Sequence, residues 1–238
     1  MLKIYRAVLL LVPVWMPLAL HALNPDFAIR QYLHTSWTQE QGFPLPPIVS
    51  MTQSTDGYLW LGGQSSLIRF DGVRFADWTA ITGQKPFGQS IGTLRPLPGG
   101  RLIAFTLPGI WTVDGKRAVR NPARDKFPCP SNRSVISDGA GGFWMLAGCQ
   151  NGASVLMRST PDGSVKAYGL AEGIKPDISS VFRDRTGQLW LATRDGLCRW
   201  TPGYPPQCLK TQALDQATII DDCEGRLVVI DAVRRQTF

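Results

Sequence analysis

Short apolar segments separated by glycine-containing turns follow one another from residue 48 to the end of the chain. The first segment, residues 48–52, precedes a turn at Asp56-Gly57, which is a typical hairpin signal. The next segment, residues 58–61, is apolar almost without interruption. A strand lacking the alternation of apolar and polar residues needs cover on both faces, so the pattern predicts sheets packed face to face against other sheets.

Two further strands complete this first unit. Residues 67–70 form a third apolar segment, and Asp71-Gly72 turns the chain into residues 73–78, which we expect to be an outer strand. A glycine-marked link at Thr82-Gly83 follows. The pattern therefore predicts a unit of four antiparallel strands over residues 48–78.

The same unit recurs along the chain. The motif DGYLWLGG at residues 56–63 returns as TGQLWLAT at 186–193 and AGGFWMLA at 140–147, and more weakly as GGRLIAFT at 99–106 and EGRLVVID at 224–231. The central positions of these copies are Trp60, Ile103, Trp144, Trp190 and Val228. Their regular recurrence gives a period close to that of four-stranded propeller blades, which is about 40 residues. We predict an all-β fold, a β-propeller of four-stranded antiparallel blades with about five repeats, around residues 48–78, 90–120, 132–168, 177–210 and 215–238, the last one truncated.

Composition supports this fold and narrows the function. The 238 residues are 44% hydrophobic and include 24 Gly and 18 Pro, which argues against disorder and against a bundle of long helices. The net charge of +7 arises from 25 basic and 18 acidic residues that form no basic run. We therefore expect no nucleic-acid partner, and only a weak preference for anionic ligands.

The N-terminus has the features of an export signal. Lys3 and Arg6 precede an apolar stretch at residues 7–20, and Ala22 supplies the small residue that a signal peptidase requires. The apolar stretch is shorter than the roughly 20 residues of a spanning helix. We expect residues 1–22 to be a cleaved signal peptide and the mature chain, from Leu23, to be periplasmic; an uncleaved anchor is the alternative.

Export allows disulfide bonds. Cys198 and Cys208 flank a strand, turn and strand pattern that would place them opposite each other, so we predict a bond between them. Cys129 and Cys149 are candidates for a second bond, although sequence alone does not settle connectivity. Cys223 is then left over, either as a buried thiol or with a partner elsewhere.

The motifs carry a resemblance to a known family. The segment SWTQEQGFP at residues 36–44, together with residues 56–63 and LIRFDG at 67–72, resembles the two-component regulator propeller repeats. These occur in exported sensor regions of bacterial hybrid histidine kinases and related proteins. The resemblance implies a seven-bladed periplasmic propeller that senses a ligand. It also implies that the signal passes through a C-terminal module to an output domain such as a histidine kinase, in a parent protein of the inner membrane.

The length of the chain differs from that family pattern. Seven blades of about 42 residues would need about 300 residues, so we expect the chain to be a fragment of a longer sensor with an incomplete ring. The segment 27–38 resembles an outer strand without its own inner three strands. The alternative is accordingly a five-bladed ring that this segment closes.

Catalytic motifs are scarce. Residues 88–92 read G-x-S-x-G, but they lead into a strand rather than into the strand, turn and helix of a nucleophile elbow. The mature chain has one histidine, His34, and no motif for a metal or a phosphate cofactor. We therefore expect no catalytic residue, no metal, no cofactor and no enzymatic activity. The alternatives are a propeller lyase similar to the streptogramin lyases, and an exported scaffold for protein partners.

Ligand binding is expected where residues depart from the repeat. The recurring tryptophans should pack between blades, whereas loops at one end of the central channel are suited to recognition. The candidates in equivalent links between second and third strands are Gln64, Ser65, Gln150, Asn151, Arg194 and Asp195. Arg95 and Arg183, on or just after inner strands, are expected to reach the channel. The expected ligand is a small molecule or glycan, with an anionic one favoured. The expected protein partner is the C-terminal signalling module of the full-length receptor or a separate chain.

Overall fold

The protein is described here by a computed structural model. The structure describes residues 35–43, 47–64, 66–84, 87, 90–106, 109–127, 129, 131–211, 213–214, 216–222, 224–231 and 236–237. Two compact units are present, Met1–Thr38 and Gln39–Phe238. In the first unit, residues 35–38 have no regular secondary structure. The expected signal peptide and the rest of the expected closing strand lie outside the described residues.

The second unit contains five antiparallel sheets, named blades 1 to 5 in chain order. Blade 1 comprises β1 (Ile48–Gln53), β2 (Leu59–Gly63), β3 (Leu67–Phe70) and β4 (Phe75–Asp77), and blade 2 comprises β5 (Ile91–Pro96), β6 (Leu102–Thr106), β7 (Gly109–Val113) and β8 (Ala118–Asn121). Blade 3 comprises β9 (Ser131–Ser137), β10 (Phe143–Gly148), β11 (Ser154–Ser159) and β12 (Val165–Tyr168), and blade 4 comprises β13 (Ser180–Arg183), β14 (Leu189–Thr193), β15 (Gly196–Trp200) and β16 (Gln207–Lys210). Blade 5 comprises β17 (Ala217–Asp221), β18 (Leu227–Asp231) and β19 (Gln236–Thr237).

Each blade is a meander in which strands adjacent in the chain are hydrogen-bonded neighbours. Consecutive blades contact each other through their first strands: β1 with β5, β5 with β9, β9 with β13, and β13 with β17. Four blades have four strands, and the fifth has three within the described residues. The predicted fold, a β-propeller of about five four-stranded antiparallel blades, is confirmed.

The turn between the first and second strand is built in the same way in all five blades. The backbone N–H of its first residue donates to the carbonyl of its fifth, as from Asp184 to Gln188 at 3.0 Å. The fourth residue is always a glycine with positive φ, at Gly57, Gly100, Gly141, Gly187 and Gly225. Only glycine adopts this backbone conformation at little cost. The repeated motif therefore has glycine as its second residue because of the turn, and apolar residues follow because of the strand.

The core consists of four apolar layers, each between two consecutive blades. Trp60 of blade 1 packs with Leu94 and Leu102 of blade 2. Trp144 of blade 3 packs with Val181 and Leu191 of blade 4, and Trp190 of blade 4 lies against Ile219 of blade 5. The prediction that the recurring tryptophans pack between blades is confirmed.

The helices are short. An α-helix, α1 (Trp78–Thr82), follows β4, and 3-10 turns lie at Gln39–Gln41, Pro122–Lys126 and Leu170–Glu172. Trp78 was expected in the outer strand, but Asp77 ends that strand by capping the helix: its Oδ1 accepts the backbone N–H groups of Thr79 and Ala80. None of the helices in the described part of the chain is long and apolar enough to span a membrane.

Both predicted disulfide bonds are present. Cys198 and Cys208 are directly paired residues of β15 and β16. Cys129 and Cys149 join the loop before β9 to the turn that follows β10. Cys223 lies outside the described residues.

Candidate ligand-binding site

A cavity of about 600 Å³, named the large cavity, opens where blades 3, 4 and 5 meet at one end of their strands. At this end the first strand of each blade begins and the turn between its second and third strands lies. The residues that line the large cavity come from these strand beginnings and turns: Arg133, Gly152, Asp177, Ile178, Ser179, Arg194, Gln216, Ala217 and Thr218. Three consecutive blades thus contribute to one concave, mainly polar surface.

Two arginines lie on the wall of the large cavity. Arg133 on β9 donates from Nη1 to Oγ of Ser154 at 3.1 Å, which fixes the direction of its side chain. Arg194 belongs to the turn between β14 and β15. Both arginines are exposed to solvent. Guanidinium groups are strong donors to carboxylate and hydroxyl oxygens, so this wall is suited to a polar or anionic ligand.

One oxygen of Asp177 has no hydrogen-bond donor among the described residues. Its Oδ1 atom is buried and accepts no hydrogen bond from the described residues. The neighbouring Ser179 hydroxyl is engaged, since it donates to the carbonyl of Leu214 at 2.5 Å. Asp177 also lines the large cavity, so its side chain adds a carboxylate to the wall.

A smaller cavity of about 170 Å³, named the small cavity, adjoins the first, and Asp177 lines both. Its wall includes the Cys198–Cys208 disulfide and an exposed ion pair in which Lys175 Nζ lies 2.6 Å from Asp195 Oδ2. The hydrogen bond from Lys175 to Asp195 raises the pKa of that lysine. The charge of Asp195 is therefore balanced locally.

The structure places the residues predicted in the turns as follows. Gln64, Gln150 and Asn151 lie at the strand end that holds the large cavity, and Ser65 lies outside the described residues. Asn151 Oδ1 accepts the backbone N–H of Ala153, a bond within its own turn. Arg194 lines the large cavity and Asp195 the small one.

The two arginines predicted to reach the channel lie outside the large cavity. Arg95 bridges blades 2 and 3: its Nε donates to the carbonyl of Val135 at 2.8 Å and its Nη1 to that of Leu94 at 2.9 Å. Burial lowers the pKa of Arg95. Arg183 stands at the opposite end of the strands, in a different cavity. Neither residue is part of the large cavity.

Several lining residues were missed by sequence reasoning. Arg133 lies near the beginning of β9, and Asp177, Gln216 and Thr218 lie at or just before the first residues of inner strands. The signal in the sequence was weak, because these polar residues lie at different distances from the starts of their inner strands. Which blades share a cavity depends on how the blades are arranged in space, and the repeat does not encode that.

The side chains of the site are suited to polar binding. Among the described residues, no group of three or more His, Cys, Asp or Glu converges as metal binding would require. The lining of the large cavity combines two arginines and one aspartate with smaller polar and apolar side chains and a glycine backbone. These can supply hydrogen bonds and charge complementarity to a hydroxylated ligand.

Comparison with known proteins gives matches in structure alone. No family model and no curated protein matches the sequence. The extracellular domain of a protein described as a hybrid two-component system from B. thetaiotaomicron is 17% identical and matches with a TM-score of 0.57 over 81% of this chain and 30% of that one. The chain thus spans less than a third of that structure.

Two other structures match to a similar degree. A catalytically inactive histidine-to-alanine variant of virginiamycin B lyase from Staphylococcus aureus, with quinupristin, is 15% identical at a TM-score of 0.58, over 81% of this chain and 65% of that one. PorZ, a surface component of the type-IX secretion system of Porphyromonas gingivalis, is 13% identical at a TM-score of 0.53, over 77% and 31%. The chain has the β-propeller fold that is shared by extracellular domains of two-component-type proteins and by a lyase.

Proposed function

We propose that this chain is the ligand-sensing propeller of a two-component-type receptor, exported to the periplasm and itself without catalytic activity. The observation that carries the proposal is the large cavity that three blades share, with Arg133, Arg194 and Asp177 on its wall. A cavity of this size is in the range of small-molecule sites. The ligand is a small hydroxylated molecule or saccharide, preferably with a carboxylate.

Two further observations support this proposal. Similarity in fold to the extracellular domain of a two-component-type protein makes a sensor role compatible with the architecture. The two disulfides fit an exported protein, because such bonds persist in oxidising compartments. The signal would pass to a C-terminal module of the full-length receptor or to a partner chain.

A lyase is the second candidate, since a lyase is among the matching structures. Neither of the two histidines, His21 and His34, lies within the described residues. The lining of the large cavity supplies guanidinium, carboxylate, hydroxyl and amide groups. Such a set binds polar ligands well but includes no group with an ordinary pKa near neutrality for proton transfer, which favours binding over catalysis.

The test is calorimetry on the purified full chain with D-galacturonate and D-galactose, followed by mass spectrometry of the recovered sugar. We expect binding of both, tighter for the acid, and recovery of both unchanged. R133Q should weaken galacturonate binding about tenfold, the loss of one charge-assisted hydrogen bond. D177N should weaken both sugars, and R199Q, which alters an exposed arginine on β15, should weaken neither.

The alternatives have distinct outcomes. A modified sugar in the recovered sample would identify an enzyme and overturn the proposal. If neither sugar binds, or if R133Q and R199Q weaken galacturonate binding equally, the large cavity is not a site for this class of ligand.

A further inference from the structure

Another cavity, of about 360 Å³, lies at the opposite end of the strands, between blades 3 and 4, and is named the opposite cavity. Its wall includes the turn between β13 and β14, the start of β10 and the third strands of both blades. The lining residues are Asp138, Trp144, Arg158, Arg183, Thr186, Gly187, Gln188, Leu189, Trp200, Thr201 and Pro202. None of these lines the large cavity, so the two cavities can be tested separately.

Arg183 lies close to the backbone of two turns in the opposite cavity. A β-carbon added to Gly139 would lie 2.8 Å from its Nη2 atom, and one added to Gly187 would lie 2.9 Å from the same atom. The guanidinium group therefore lies directly over the backbone of two turns, one from each blade. Glycine at both positions makes room for it, and the side chain is half-buried as a result.

The guanidinium group of Arg183 forms no hydrogen bond or ion pair with the described residues, although it has five N–H donors. The nearby carboxylate is already engaged: Asp138 Oδ2 is 2.9 Å from Nη2 of Arg158, and the aspartate side chain is 1% exposed. Gln188 is also engaged, because its Nε2 donates to the carbonyl of Trp200 at 2.6 Å. Arg183 is thus the cation of this cavity whose donors are unused by the described residues.

We infer that the opposite cavity is a second ligand site, in which Arg183 binds the carboxylate of a small organic acid. The local charge favours a carboxylate over phosphate, since two arginines and one aspartate leave one net positive charge, which a single negative charge neutralises. A planar carboxylate also matches the fork of the guanidinium group. Binding across the two turns would link blades 3 and 4.

The test is an NMR titration of the full chain with sodium acetate and, separately, with inorganic phosphate, at constant ionic strength. We expect acetate to shift the amide signals of Gly139 and Gly187, with a dissociation constant in the millimolar range, and phosphate to bind more weakly. R183Q should weaken acetate binding at least tenfold, and R183K should weaken it less, because lysine keeps the charge but loses the fork. R194Q, in the large cavity, should leave these shifts unchanged.

Several results would overturn the inference. Shifts that persist in R183Q, or that spread equally over exposed arginines such as Arg199, would indicate unspecific binding. Tighter binding of phosphate than of acetate would refute the carboxylate assignment. R183Q could fail to fold, which its amide spectrum would show. In that case the inference is tested by the weaker acetate binding expected of R183K and by whether the wild-type shifts are located at Gly139 and Gly187. Loss of sugar binding in the large cavity would not affect this outcome, since the two cavities share no lining residue.

Discussion

The indole Nε1 of Trp190 donates to Oδ2 of Asp184 at 2.8 Å, which ties the second strand of blade 4 to the turn that precedes it. The other oxygen of Asp184 accepts the backbone N–H groups of Thr186 and Gln188 and the hydroxyl of Thr186. In blade 1 the same relationship joins Trp60 to Ser54 at 3.0 Å. The turn and the tryptophan that packs between blades are thus one connected unit.

The variant D184A should lower the free energy of unfolding by about 2–3 kcal/mol, because it leaves the Trp190 indole N–H and the turn N–H groups without their acceptor. D184N should cost less, since its amide oxygen can still accept two of these bonds. Urea unfolding followed by tryptophan fluorescence measures both. An equal loss in the two variants would show that the acceptor is not what stabilises the turn.

Acid should weaken the turn between β11 and β12. The hydroxyls of Thr160 and Ser164 donate to the exposed carboxylate of Asp162, and with the backbone N–H of Ser164 they lower its pKa from 3.8 to about 2. A carboxylate whose pKa is lower in the folded than in the unfolded protein stabilises the fold at pH values above the unfolded pKa. This contribution is lost as the pH falls from about 4 to about 2.

The measurement is the carboxyl carbon shift of Asp162 during an NMR titration, which we expect to turn at about pH 2. D162N should unfold less steeply with acid than the wild type over that range, because it has no charge to lose. An inflection near the ordinary value of 3.8 would contradict the expectation.

Reduction of the Cys198–Cys208 bond should loosen β16. All four residues of β16 are exposed, so few packing contacts hold the strand to blade 4. We expect the variant C198S/C208S to lose about 2–3 kcal/mol of stability, the usual value for a short disulfide loop. Hydrogen exchange at Gln207–Lys210 should accelerate, and it should remain slow at β14. Unchanged exchange at β16 would show that its backbone pairing with β15 is sufficient to hold it.

The second disulfide provides a comparison. Cys208 is exposed, whereas Cys129 is 3% exposed and packs in the core between blades 2 and 3. Cys198 is as buried as Cys129, and Cys149 is half-buried. Alkylation after mild reduction should therefore label Cys208 before Cys129. The reverse order would show that burial does not control access to these bonds.

A methyl group at Gly142 should disrupt blade 3. A β-carbon there would collide with the carbonyl oxygen of Ser159 and lie 2.8 Å from Oδ2 of Asp138. Because one of these atoms is backbone, the strand itself would have to move, and we expect G142A to cost about 3 kcal/mol or more. Gly115 is the matched control, since nothing lies within 4 Å of its added β-carbon. Thermal unfolding of G142A and G115A tests this, and similar midpoints would refute it.

The repeat explains why most of the fold could be predicted. The turn glycines and the apolar residues after them are local features, and each blade repeats them, as in the segment from Asp184 to Trp190. Trp78 shows the limit of such reasoning: its apolar character fitted a strand, but the side chain of Asp77 caps a helix there instead. Local capping outweighed the hydrophobic pattern.

The site was predicted less well. The links between second and third strands were identified correctly as lying at one end, and Arg194 does line the large cavity. Arg133 and Asp177 were missed, and Arg95 proved to be a bridge between blades. A side chain's partners depend on residues far away in sequence, as the bond from Arg95 to Val135 shows.

The amino-acid sequence by itself indicated the phase of five repeats, the glycine-containing turn within each, and the tryptophans that pack between blades. The turns follow from interactions over a few residues, and the tryptophans could be identified because they recur at the same position of the repeat. The tertiary structure decided which strand starts meet around the large cavity and which arginine of the opposite cavity remains without a partner among the described residues. Both depend on how rigid sheets stack side by side, because that stacking brings residues of different blades, far apart in the chain, into contact.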